Sequence, residues 1–121
     1  MESSTKEKTK EEPVFWYVLR AIFGKELEVR KKLDQLNVET FIPMRYEIKN
    51  SKGKKIRTLV PAIHDLIFVR ATKSFLEDFK SSSEFILYFM TEKADGRRRI
   101  IVVPDYQMNE FIKVAKKTEE D

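Results

Sequence analysis

The sequence predicts an α+β fold, a mostly antiparallel central sheet flanked by three helices. Three observations carry that prediction. Leu66-Ile-Phe-Val69 is apolar at successive positions; because neighbouring side chains on a strand point to opposite sides, Leu66 and Phe68 must meet one layer and Ile67 and Val69 another. Val29, Leu33 and Leu36, and later Met108, Phe111, Ile112 and Ala115, repeat at helical spacing. Between these stretches, Asn50-Ser-Lys-Gly53 and Asp95-Gly96 are turn signals that divide short β-rich segments.

Taken in order, residues 1–13 are a mixed-charge run with nothing to bury, expected to be a disordered tail. Val14-Phe-Trp-Tyr-Val-Leu-Arg-Ala21 is β-branched, aromatic and apolar on both parities until Arg20, an internal strand that Gly24 ends. Lys25 to Leu36 reads as a helix, with Glu26/Arg30 and Glu28/Lys32 as i, i+4 pairs on its solvent side. Strand, short loop and helix open a β-α-β unit. Val38 to Ile48 reads as one extended segment, with Pro43 at an edge or bulge. Lys54 to Val60 returns as its hairpin partner, and Pro61 stops that strand before the central one begins. Ser74-Phe-Leu-Glu77 has the spacing of a capping box and begins a helix of about two turns, ending at Ser81-Ser-Ser83. Ile86 to Met90 and Arg99 to Val103 read as strands joined around Asp95-Gly96, and Pro104-Asp105 opens the last helix. The order is β-α-β-β-β-α-β-β-α, without internal repeats. Two helices are long enough to cover a sheet face and the third is not. If the longer two share one side, the short one leaves part of the opposite side open, where one alternate set of central-strand residues would stand in water, and an uncovered apolar patch on a small domain marks a docking surface.

Composition bounds the function. A chain of 121 residues makes one domain, here 14–115, with 116–121 as a tail or the start of a linker. With 36% charged residues and no apolar run near ~20 residues, no membrane span or signal peptide is expected, and a cytoplasmic location is the simplest reading. There is no cysteine for a disulfide, thiolate site or nucleophile. The single histidine, His64, sits between Ile63 and Asp65 in a connection and reads as a loop or strand-end residue rather than a catalytic base. No run of His, Asp or Glu has metal-ligand spacing, and the three glycines are too scattered for a phosphate loop. The chain is therefore expected to be neither an enzyme nor a cofactor protein.

Two basic clusters remain. Lys49, Lys52, Lys54, Lys55 and Arg57 place five positive charges at a hairpin tip, with no acid from Ile48 through His64, and Arg97-Arg-Arg99 follows the second turn. Contact with nucleic-acid backbone or an acidic surface is one explanation, and solvated strand ends are the other. Sequence-selective RNA reading is disfavoured: Asp65-Leu-Ile-Phe-Val-Arg-Ala71 keeps only the Phe-Val of the RNA-recognition-motif signature. A free-standing nucleic-acid-binding module nonetheless stays open as an alternative.

Trp16-Tyr-Val-Leu on the first strand, Gly24 before the charged helix, Phe41-Ile-Pro43, the Gly-Lys hairpin, Leu59-Val-Pro61 before Leu-Ile-Phe-Val69, and Val-Val-Pro104 before the final helix together resemble the amino-terminal domain of NusG-family transcription elongation factors. The resemblance spans roughly Phe15 to Ala115. Where the usual form is Phe-Pro-Gly/Asn-Tyr directly before the strand, Pro61-Ala-Ile-His-Asp65 inserts extra residues and Leu66 replaces the tyrosine. That departure is similar to specialised paralogues of the RfaH or UpxY kind, which antiterminate particular operons such as those for surface polysaccharide. The resemblance implies a NusG-like sandwich that grips the clamp helices of the RNA polymerase largest subunit through an apolar pocket, suppressing pausing and termination. By position in the motif the pocket falls on Val60, Leu66 and Phe68, with Arg20 beside them. It also implies a carboxy-terminal KOW domain in the family's usual layout, to which Lys116-Lys-Thr-Glu-Glu-Asp121 would begin the linker. The domain itself is expected to be monomeric, its patch being suited to a helical partner.

Overall fold

A computed structural model describes residues 12–120; most of the expected tail, residues 1–11, lies outside the described residues. The domain is α+β, as the periodicities require. Its strands are β1 (Phe15–Ala21), β2 (Glu39–Phe41), β3 (Met44–Ser51), β4 (Lys54–Pro61), β5 (Leu66–Ala71), β6 (Leu87–Phe89), β7 (Thr91–Ala94), β8 (Arg97–Ile100) and β9 (Val102–Val103). Its helices are α1 (Glu26–Gln35), α2 (Lys73–Ser82) and α3 (Asp105–Glu120), with a 3-10 turn at Ile22–Gly24.

The central sheet runs β2-β5-β1, and the far edge of β1 is shared by β6 and β9. Every pairing is antiparallel. Since β1 and β2 both oppose β5, they run parallel to each other with β5 between them, so the expected β-α-β unit is a split one. The segment expected to be continuous from Val38 to Ile48 breaks at Ile42-Pro43. The proline carbonyl accepts from Ala62 N–H at 2.8 Å, and β3 leaves the main sheet to form a separate ribbon with β4. Likewise β7 and β8 form a two-stranded arm between β6 and β9. Both ribbons turn over two residues with positive φ, Lys52-Gly53 and Asp95-Gly96, the type I′ geometry that matches strand twist.

Tyr17, Leu19, Ala21, Ile67 and Val69 point to one side, under Val29 and Leu33 of α1 and Leu76 and Phe79 of α2. Trp16, Val18, Phe41 and Phe68 point to the other, under Met108 of α3, with Ile112 and Ala115 packed against them. The helices are thus distributed differently from expectation: the two ten-residue helices share one side, and the sixteen-residue α3 alone covers the side of Leu66 and Phe68. Arg70, the cross-strand partner of Trp16, holds the start of α3 through a two-pronged pair with Asp105, at 3.1 and 3.4 Å; that hydrogen bonding raises the guanidinium pKa further. The helix continues through Glu120, past Ala115 where a linker is expected.

Helix ends follow local rules with two departures. Asn37, at φ 60°, closes α1 in a Schellman motif, its N–H donating to Asp34 O and that of Val38 to Leu33 O, both at 3.0 Å. The cap of α2 is Thr72 rather than Ser74: its hydroxyl accepts from Phe75 N–H at 3.1 Å. Ser74 lies within the first turn, where its N–H and hydroxyl donate to the carboxylate of Glu12, a residue expected in the tail.

Candidate functional site

Antiparallel register decides which of the four expected pocket residues meet. Arg20 on β1 stands opposite Leu66 on β5 and, on its other side, opposite Tyr88 on β6. Directly opposed residues share a face, so Tyr88, Arg20 and Leu66 form one row across the end of the sheet, on the α3 side. Arg20 is exposed, Leu66 half-buried and Tyr88 54% exposed. Two residues along β5, Phe68 is almost buried; its ring lies 6.4 Å from Phe41 and 5.5 Å from Phe111 of α3, which also meets Phe41 edge-on at 5.6 Å. Phe111 remains 37% exposed and Met90 half-buried. Cover by α3 is therefore complete over Trp16 and incomplete toward Leu66, leaving a graded apolar margin with one cation at its edge.

Val60 does not join this group. On β4 its register partner is Arg45, and it lines a cleft of about 280 Å³ with Gly24, Glu26, Leu27, Arg45, Glu47, Pro61 and His64. The structure brings Arg20, Leu66 and Phe68 together and sets Val60 apart. Tyr88 and Phe111 are the residues that sequence reasoning left out of this surface. The alternation of Ile86, Tyr88 and Met90 against Leu87 and Phe89 signals a two-faced strand, but only the β1–β6 register reveals that Tyr88 stands beside Arg20.

The basic ribbon divides its charges between faces. Paired positions put Lys55 and Arg57 on the side of Tyr46, Ile48 and Leu59, and Lys49 and Lys54 on the side of Arg45 and Val60. Eight residues per strand at about 3.3 Å each make it roughly 26 Å long. Although no acid lies from Ile48 through His64, two of its five cations have partners: Lys49 stands 3.9 Å from Glu47, and the Arg57 guanidinium lies 4.0 Å over the Tyr46 ring. Lys52, Lys54 and Lys55 at the tip are exposed and have no ion-pair partner among the described residues. In the second arm, Arg98 donates to Thr91 Oγ1 at 2.9 Å and Arg99 stands 3.9 Å from Glu92.

A third grouping was invisible to linear spacing. Glu26 is not on the solvent side of α1 with Arg30; it is 2% exposed, and its Oε2 accepts from Asp65 N–H at 3.0 Å. Glu28 pairs with Lys25 at 3.4 Å rather than with Lys32. The Glu26 Oε1 atom is buried without a hydrogen-bond partner, an arrangement that costs about 1–3 kcal/mol and more for an ionised group. His64 Nε2 is 3.2 Å from Asp65 Oδ1, which also accepts from Gly24 N–H at 2.8 Å. One ligand atom from each of Glu26, His64 and Asp65 falls within 4.8 Å of the others, so the absence of metal-like spacing in the sequence did not carry over to space.

Among the described residues no helix is long and apolar enough to cross a membrane. A family model described as transcription termination factor nusG matches residues 14–112. A direct comparison with curated proteins finds no match.

Proposed function

The chain belongs to the NusG family, a family of transcription elongation and termination factors rather than enzymes whose members bind RNA polymerase, and from that premise we propose that residues 14–115 form an antitermination domain that docks on the clamp helices of the polymerase largest subunit. The observation that carries this reading is the row Tyr88, Arg20 and Leu66, continued by Phe68 and Phe111 where the cover of α3 runs out. An amphipathic helical partner offers an apolar stripe to such a margin and an acidic residue to Arg20, and burial there contributes about 25 cal/mol per Å² of apolar surface removed from water. Docked in this way, the domain holds the clamp and suppresses pausing and termination.

The ribbon tip, with Lys52, Lys54 and Lys55, then lies near nucleic acid or an acidic polymerase surface, where its field adds attraction without sequence information. The extra residues Pro61-Ala-Ile-His-Asp65 before the central strand, with Leu66 in place of the usual tyrosine, support an operon-specific bacterial factor of the RfaH or UpxY kind acting in the cytoplasm. The domain works as a monomer, because the same margin is given over to the polymerase.

The test is capture of purified bacterial RNA polymerase by the immobilised domain, repeated with polymerase lacking the clamp helices. Capture of the intact enzyme and loss with the deleted one is the expected result. Equal capture of both would refute the docking mode.

A further inference from the structure

We propose that Glu26, His64 and Asp65 form a binding site for a divalent transition cation of the Zn²⁺ class. The three residues come from two places in the chain, the first turn of α1 and the connection between β4 and β5, and the fold brings one donor atom of each within 4.8 Å of the others. Ligands bound to Zn²⁺ at 2.0–2.2 Å stand roughly 3.3–3.6 Å apart in a tetrahedron, so the site needs about an ångström of closure. His64 can supply it, being 83% exposed on a loop.

The two carboxylates are already oriented from behind. Gly24 N–H donates to Asp65 Oδ1 at 2.8 Å, and Asp65 N–H donates to Glu26 Oε2 at 3.0 Å. In metal centres, hydrogen bonds of this kind behind the liganding carboxylates hold them in orientation. They leave Glu26 Oε1 buried with no hydrogen-bond partner, an acceptor that a cation would satisfy. Gly24 and Asp65 are both left-handed, at φ 66°, a conformation that glycine adopts without strain and in which the Gly24 N–H reaches Asp65.

Charge and chemistry agree on the class of ion. Arg45 and Glu47 line the adjoining cleft, where they stand 3.9 Å from each other, and Lys49 is a further 3.9 Å partner of Glu47. Glu47 is thus committed to cations of the ribbon, and Glu26 and Asp65 remain to balance the metal. Imidazole with two carboxylates suits Zn²⁺, Co²⁺ or Ni²⁺, whereas Mg²⁺ and Ca²⁺ favour all-oxygen shells. Three protein ligands leave a fourth position for water in the cleft. A bound ion would tie the β4–β5 connection to the start of α1, independently of the Arg20–Leu66 row and of any polymerase binding.

The experiment is titration of the 121-residue chain with Co²⁺, followed by its visible d–d absorption and by calorimetry, with Zn²⁺ as competitor. His64 is the sole histidine, so His64→Ala removes every imidazole from the protein, and its exposure leaves the fold intact by far-ultraviolet circular dichroism. We expect one Co²⁺ per chain, displaced by Zn²⁺ and unaffected by an equal concentration of Mg²⁺, with affinity falling at least tenfold in His64→Ala and again in Glu26→Gln. Absence of saturable binding in the unmodified chain, unchanged affinity in His64→Ala, or equal competition by Mg²⁺ would each overturn the assignment.

Discussion

Leu66 and Ile67 are neighbours on one strand and have opposite surroundings. Ile67 is fully buried beneath α1 and α2, in a cluster that also encloses Leu19, Val29, Leu33, Val69 and Leu76. Leu66 is half-buried beside exposed Arg20, at the margin of a single helix. Two helices crossing one face close it; one helix crossing the other protects Trp16 and leaves the far end graded from buried Phe68 to exposed Tyr88. The difference teaches that the pleat can give adjacent residues of one strand unequal cover, and under the docking proposal the closed face serves stability and the open margin recognition.

That division can be broken most severely on the closed side. Ile67→Asp places an unpaired carboxylate where no water reaches and should cost more than about 4 kcal/mol. Circular dichroism should show loss of cooperative unfolding; a folded variant would mean that the closed face is not the stabilising one. At the boundary, Phe111→Ala removes the ring that meets Phe41 and Phe68 but is partly in water already. A loss of about 2 kcal/mol is expected by urea denaturation, below the roughly 3–5 kcal/mol of a fully buried phenylalanine. Thr72→Ala removes the cap of α2 and should cost about 1 kcal/mol, seen as a lower urea midpoint with unchanged slope; Ser74→Ala tests the rival cap and leaves the Thr72 bond in place.

The smallest effect on stability is expected at the ribbon tip. Changing Lys52, Lys54 and Lys55 together to Gln should stay within about 0.5 kcal/mol, and should reduce terminator read-through in a reconstituted transcription assay while leaving polymerase capture intact. Unchanged read-through would return these lysines to solvated strand ends. The isolated domain should bind duplex DNA no more tightly than roughly 10⁻⁴–10⁻⁶ M at physiological salt, as for contacts made to backbone alone. Tight, sequence-selective binding would favour the free-standing nucleic-acid module.

Much of this was legible in the residues because it depends on short periods. The apolar run Leu66 to Val69 reports burial on both faces, and the spacing in Lys25–Leu36 and after Pro104 reports which helix side is apolar. What spacing does not report is the partner. Whether α2 or α3 lies over Phe68 depends on how the chain crosses the sheet, and α3 takes that side with Arg70 and Asp105 clasping its start. The same limit hid the places of Tyr88, which depends on β6 register, and of Glu26, whose contact with Asp65 joins positions 39 residues apart. In the cap of α2 two local signals competed, and Thr72, preceding Lys73 at an extended backbone position, prevailed over the Ser74-x-x-Glu77 pattern.

The most direct test of the division between faces is Leu66→Asp, measured for polymerase capture and thermal unfolding in the same preparation. Its half-buried position predicts a cost of about 1–2 kcal/mol, far below that of Ile67→Asp, with the domain still folded and capture of RNA polymerase lost. A variant that folds and captures polymerase as the unmodified domain does would contradict the account, and one that unfolds like Ile67→Asp would show that the Leu66 side is closed and the docking surface lies elsewhere.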